Sequence, residues 1–476
     1  MTPSAQPSDR SPTSSTNRRT FLGRAGQMAA VAGGFAGAAR GADEAVPVKP
    51  PTVQPGGSDE IRVALIGCGG RGGGAAADCL SVSSAPLKLY AMADVFPQAI
   101  ETRLKALQEQ FKEKVEVAED RRFLGFEAYK QAMDALRPGD IAILATPPGF
   151  RAPMFRYAID KGLHVFMEKP ISVDGPSTRR IMELSALADA KNLKVGVGLM
   201  CRHNSARQEL FQQLREGAAG DIITLRGYRM QPAVQGWDLF PGPPQGMTEL
   251  QYQVKRFHCF LWASGGIFSD YYVHHIDEAC WMKDAWPVKA EAVGGRQFRG
   301  KIDDQNFDTY AVEYTFPDGT KFFYAGRTVP KLQSKFDLFG HGSKHAFRIS
   351  GNGHHPARSA IFKGQEIDDK NKVWSAKEPE TQPYRQEWID LVVAIVNNTP
   401  YNETVRGAEA SLVTAMGRFA AHTGRLVTYD EMLNSPDDMT AGVDSLTDSS
   451  PALLLANADG TYPIPSPGRY KFEYRD

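Results

Sequence analysis

Four short apolar runs stand out in the first half of the chain: Val63–Ile66, Leu87–Ala93, Ile141–Ala145 and Leu163–Met167. Runs this short and continuous are typical of strands buried on both faces of a parallel sheet. Between and after them, Ala75–Leu80, Ala99–Phe111, Phe126–Leu136 and Ala152–Lys161 space their apolar residues as helices do, and Pro138-Gly139 closes the third. Strand and helix alternating at this rhythm predict a doubly wound parallel sheet. A helix over Arg179–Lys191, a strand over Val195–Leu199 and a helix over 205–217 come next along the chain.

From Asp221 the pattern changes. Asp221–Met230, Ala290–Gly295, Thr309–Phe316, Lys321–Gly326 and Ser334–Gly340 read as strands, and Pro317-Asp318-Gly319 is a turn between two of them. They predict an open, largely antiparallel sheet in a second α/β domain, and Gln386–Val396 and Arg406–Gly424 read as amphipathic helices that could cover a domain. Residues 231–256 form a long loop rich in Pro, Gly and aromatics, 350–382 read as irregular, and the chain from Asn434 reads as a surface wrap. The expected division is a nucleotide domain at 60–185, a second domain at 186–430 and a C-terminal extension at 431–476.

The first 59 residues fit neither pattern. Residues 1–17 are rich in Ser, Thr and Pro, and Asn17-Arg18-Arg19-Thr20-Phe21-Leu22 then looks like a twin-arginine export signal running into an Ala/Gly-rich segment. Residues 1–42 are expected to be that signal and 43–59 a proline-bearing linker, which places the mature protein in the periplasm or otherwise outside the cytoplasm. Net charge is +0, so nothing in the charge balance points to nucleic acid or an anionic membrane. The five cysteines are scattered with no zinc-like spacing, so neither a disulfide framework nor a metal site is expected. No apolar run reaches the length of a membrane span.

Three stretches carry chemistry. Gly67, Gly69 and Gly72 come after the first strand as G-x-G-x-x-G, with Gly70 and Arg71 inside the turn. They allow a tight turn, close approach of a pyrophosphate and close helix packing, and the helix start faces the phosphates. Asp94 ends the second strand where a carboxylate would bond a ribose hydroxyl, which favours NAD over NADP, with Arg71 near enough to temper the preference. Thr146-Pro147 and Glu168-Lys169-Pro170 close the next two strands, at the sheet edge where such folds bind ligands. Lys169 could bond a substrate hydroxyl and share in its proton transfer, and a cis bond at Pro170 would aim it inward. Finally, a helix over Gly265–Asp277 puts Asp270, His274 and Asp277 on one face, so that a carboxylate one turn away can orient His274. Arg202, His203, Tyr271 and Asp277 are candidate substrate contacts, with His203 a helix cap as its alternative. Trp237, Tyr252 and Trp262 suit stacking on sugar rings.

In this order the three motifs resemble the glucose–fructose oxidoreductase/inositol dehydrogenase/MocA (Gfo/Idh/MocA) family, from about Ile61 to Tyr429. The resemblance implies a Rossmann domain joined to an α/β domain whose open sheet often forms a homo-oligomer face. It implies acid/base roles for Lys169 and His274, support from Asp270, and a dinucleotide site lined by Gly67, Gly69, Gly72, Asp94, Thr146, Pro147 and Glu168, with Gly70, Arg71 and Lys169 as further cofactor contacts. Tyr272 stands where family members commonly have glycine. The activity so implied is hydride transfer between a sugar or polyol carbinol and tightly bound NAD, with NADP as the other dinucleotide. A redox-neutral NAD-dependent glycosidase is the alternative.

Overall fold

The computed structural model describes residues 60–232, 243–298, 304–468 and 473. Residues 1–42, expected to be an export signal, the expected linker 43–59 and Trp237 lie outside them. Six strands form the first sheet: β1 (Ile61–Ile66), β2 (Leu87–Asp94), β3 (Arg122–Leu124), β4 (Ile141–Leu144), β5 (His164–Met167) and β6 (Val195–Val197). All pair in parallel in the order β3-β2-β1-β4-β5-β6. The order reverses between β1 and β4, the crevice where ligands bind in open α/β sheets. Every residue of β4 and β5 is buried, the apolar run of β4 and Val165–Met167 of β5 together with His164. The helix Pro383–Val396, far along the chain, completes this core by stacking Trp388 on Phe166 with ring centroids 4.3 Å apart.

The second sheet has nine strands in the order β14-β13-β12-β11-β7-β10-β9-β8-β15. They are β7 (Ile222–Gln231), β8 (Lys289–Gly295), β9 (Thr309–Thr315), β10 (Lys321–Thr328), β11 (Lys335–Gly342), β12 (His345–Gly351), β13 (Ala360–Lys363), β14 (Lys372–Ser375) and β15 (Val427–Thr428). Only β7 and β10 run parallel; the other pairs are antiparallel. Two strands, β13 and β14, fall within 350–382, which the sequence pattern left irregular. They are four residues each and sit at the sheet edge, too short to show a period. The helices Gly266–Lys283 and Thr404–Thr423 pack on each other and on this sheet.

Helix Gly266–Lys283 sets the electrostatic demands of the second domain. Nearly its whole circumference is buried, Asp270, His274, His275, Asp277 and Glu278 included. Buried charges on such a helix need partners, because each costs several kcal/mol without one. Those partners come from both halves of the chain.

Candidate functional site

A cleft of about 230 Å³ opens at the carboxyl ends of β1, β2 and β4, lined by Gly67, Gly69, Asp94, Thr146, Pro147 and Phe150 among others. Gly67 holds φ +92°, and a Cβ there would lie 2.7 Å from the Ala145 carbonyl. A Cβ on Gly72 would lie 1.9 Å from the Gly67 carbonyl oxygen. A Cβ on Gly69 would meet nothing within 4 Å, so this backbone faces open space. Helix Gly70–Leu80 starts at Gly69 with no side-chain cap and no acidic residue in its first turn. Its leading N–H groups are therefore available to an anion. These features fit a dinucleotide pyrophosphate. Gly72→Val is expected to separate helix from strand and abolish dinucleotide retention, measured as nicotinamide released on denaturation.

Asp94 lines the same cleft. Its Oδ2 accepts from the Cys68 N–H at 2.6 Å and its Oδ1 from the Phe96 N–H at 2.9 Å. Burial raises its pKa, opposed by these backbone donors. Arg71 does not reach Asp94. Two turns along its helix it meets Asp78 at 3.1 Å, its Nε lies 2.9 Å from the Glu168 carboxylate, and it covers the Tyr384 ring at 4.7 Å. The cation at the Asp94 end is instead Lys255, with Nζ 5.7 Å from the Phe96 ring. Asp94→Asn keeps the turn's acceptor and removes the charge. The ratio of NAD to NADP affinity is expected to fall by roughly 10–100-fold, about 1.4–2.8 kcal/mol, in dinucleotide titrations of the apoprotein.

At the end of β5 the Lys169–Pro170 peptide is cis. Lys169 Nζ donates to the Asp270 backbone carbonyl at 2.6 Å and lies 3.3 Å from Oδ1 of its carboxylate. The other oxygen, Oδ2, lies 3.1 Å from His258 Nε2. Burial would raise the Asp270 pKa, but Lys169 and His258 outweigh it and hold the carboxyl far below the usual range. Asp270 thus orients Lys169 and His258 rather than His274, a correction to the same-face expectation. His258 follows the helix Glu249–Lys255, and no spacing marks it.

His274 lies one turn beyond Asp270 and is buried. Its ring packs edge-on to His354 at 4.6 Å, and Nδ1 has no hydrogen-bond partner. Burial first, then the charges of His354, Lys169 and Arg229, push its pKa well below the ordinary value, so the imidazole is neutral. The charge of Lys169, at the end of a parallel strand, thus acts on His274 of the second domain.

The remaining candidates are placed differently. Arg202 and Asp277 are engaged with each other through a two-pronged pair, Nε to Oδ2 at 2.9 Å and Nη2 to Oδ1 at 2.7 Å. His203 sits between Asp390 at 2.6 Å and Glu403 at 3.2 Å, and the helix cap is Asn204, which accepts from the Arg207 N–H. Neither Arg202–Asp277 nor His203 is free to meet a substrate. Tyr271 is half-buried, its ring covered by Arg229 at 4.8 Å. Trp262 and Tyr252 are buried in the core, Trp262 against Phe150 at 5.7 Å, so they offer no stacking face. Tyr272 also turns inward, its ring lying over Gly326 of β10.

Parallel sheet, glycine turn and cleft define an NAD-binding Rossmann domain joined to a second α/β domain. Residues 61–199 match the model of the oxidoreductase family with an NAD-binding Rossmann fold, GFO_IDH_MocA. The chain's nucleotide-binding half is thus similar to the NAD-binding domain of that family. It is 31% identical over 143 residues to an inositol 2-dehydrogenase of Corynebacterium glutamicum, covering 30% of this chain and 40% of that one. It is 29% identical over 174 residues to a glycosyl hydrolase family 109 protein of Shewanella pealeana, covering 35% and 36%. The chain therefore aligns with about two fifths of the length of these relatives. The fold matches the scyllo-inositol dehydrogenase of Lactobacillus casei, solved with NAD(H) and scyllo-inositol, at TM-score 0.57 and 21% identity, over 78% of this chain and all of that one.

Proposed function

We propose that this protein is an exported NAD-dependent oxidoreductase that oxidises or reduces a carbinol of a sugar or polyol. When bound, NAD supplies the hydride acceptor. The observation that carries the reading is the Lys169–Asp270 contact between the two halves of the chain, in a molecule that also holds a cleft fitted to a dinucleotide. Lys169 holds the substrate hydroxyl and lowers the cost of its negative charge as the proton leaves. His274, neutral and with Nδ1 unengaged, takes that proton. Asp270 keeps the ammonium in place.

Cofactor retention through turnover is part of the proposal. The helix Glu249–Lys255 and the turn after it set Val254, Lys255 and Phe257 along the cleft wall. Export by the twin-arginine route, which carries folded proteins, gives retention a purpose: no NADH-recycling pool awaits outside the cytoplasm. A second substrate would then return the hydride. The nine-stranded sheet leaves Val293 72% and Phe323 46% exposed, which supports a homo-oligomer through that face.

The test uses the purified full chain. Denaturation should release about one equivalent of NAD, and adding sugars or polyols should change the nicotinamide absorbance of the bound cofactor. Protein that neither releases nor takes up a dinucleotide sinks the proposal. The similarity to a glycosyl hydrolase family 109 protein favours one second reading, a redox-neutral glycosidase. Release of an aryl group from synthetic glycosides, dependent on bound NAD but without net NADH, would select it.

A further inference from the structure

Away from the Lys169–Asp270 pair, three chain segments bring a sulfur, a nitrogen and an oxygen together. The turn Met200–His203 presents Cys201, helix Gly266–Lys283 presents Glu278, and the loop after β12 presents His354. Cys201 Sγ is 3.5 Å from His354 Nδ1, and that nitrogen is 3.8 Å from Glu278 Oε1. All three donor atoms lie within 4.8 Å of one another. We propose that Cys201, Glu278 and His354 form a site for one zinc-class divalent ion.

The separations suit the chemistry. Around tetrahedral zinc, thiolate, imidazole and carboxylate ligands stand roughly 3.4–3.6 Å apart, given metal–ligand bonds of about 2.0–2.3 Å. The donor set also selects the ion, since sulfur and imidazole suit zinc-class metals and not magnesium or calcium. The Glu278 side chain is fully buried. One carboxylate oxygen is tied to Arg207 Nε at 2.5 Å, which fixes the carboxylate with Oε1 turned towards the His354 ring nitrogen.

Charge and access set the shape of the site. Arg207 offsets the Glu278 charge, and the Cys201 thiol would release its proton to solvent on coordination. Arg229 Nη1 lies 3.5 Å from His354 Nε2, which leaves Nδ1 as the ring nitrogen facing the other two donors. Cys201 and Glu278 are sealed, whereas His354 keeps 15% of its side chain exposed. The inference does not depend on the hydride-transfer reading.

The experiment reads metal directly. The purified full chain, stripped with chelator, is titrated with cobalt(II), and the absorbance is followed through the near ultraviolet and visible. One equivalent is expected to give a thiolate-to-cobalt charge-transfer band and tetrahedral d–d bands, and zinc is expected to displace both. Cys201→Ser should remove the charge-transfer band. His354→Ala, on a partly exposed loop, should weaken cobalt binding by at least tenfold. Circular dichroism confirms that each variant is folded. No charge-transfer band in folded wild type, or a band that persists in Cys201→Ser, overturns the proposal.

Discussion

Lys169→Ala is expected to lower turnover by roughly 10²–10⁴-fold, the range of a lost acid/base group, while bound dinucleotide stays near wild-type level. The separation comes from geometry. The dinucleotide cradle is backbone at Gly67–Gly72 and the carboxylate of Asp94, neither of which touches Lys169. Lys169 instead meets Asp270, through its carbonyl at 2.6 Å and its carboxylate at 3.3 Å. Truncation leaves His258 in place, 3.1 Å from Oδ2. The buried carboxylate keeps one partner, so the fold should persist. The measurement is the single-turnover rate of nicotinamide absorbance change on adding a sugar that the wild type turns over, with released dinucleotide as the internal control. A variant that turns over at the wild-type rate removes Lys169 from the chemistry. A variant that has lost its dinucleotide makes it a structural residue instead. Lys169→Arg keeps the charge but not the compact point donor, and should recover little of the rate.

How much of this was legible in the sequence depends on the range of the interaction. The parallel sheet was legible because each strand is a local apolar run, and the glycine turn because three residues at fixed spacing serve one backbone geometry. Lys169 and Asp270 were legible as candidates because both belong to short motifs. What either would touch was not. Asp270 meets Lys169 from 101 residues away and His258 from 12, and the preference of one buried carboxylate for these two over His274 is a matter of packing. Arg202 and Asp277 looked like free polar groups, yet on a helix buried nearly all round, Asp277 needed a cation and Arg202 supplied it. Distance along the chain also hid the Cys201–Glu278–His354 cluster. Cys201 and His354 stand 153 positions apart, and no spacing rule joins them.

The C-terminal extension, turn-rich in sequence, was expected only to wrap the surface. Glu473 is instead fully buried against Arg418, itself fully buried, with Nε to Oε1 at 2.7 Å and Nη2 to Oε2 at 2.9 Å. His422 Nδ1 adds a contact to Oε1 at 3.1 Å. Burial alone would raise the Glu473 pKa, but Arg418 and His422 outweigh it and bring it down to about 2. Glu473→Ala leaves the guanidinium buried without its counter-charge and is expected to cost about 3–5 kcal/mol, read as a lower denaturant midpoint. The pH dependence has a definite sign. The lowered pKa means that Glu473 contributes fully above the ordinary glutamate value, about 4.3, and loses its contribution as pH falls towards 2. The gap between wild type and variant should therefore be widest near neutrality and close in acid. Arg418→Met combined with Glu473→Leu removes both charges and should recover most of the loss. The effect should also reach the site, because the same guanidinium donates to the Val173 carbonyl, to the Gly265 carbonyl and to the Ser269 hydroxyl. Val173 comes shortly after Lys169-Pro170, and Gly265 and Ser269 come just before Asp270. Glu473→Ala is thus expected to lower turnover even under conditions where it remains folded, whereas full activity in the folded variant would confine Arg418 to holding the tail.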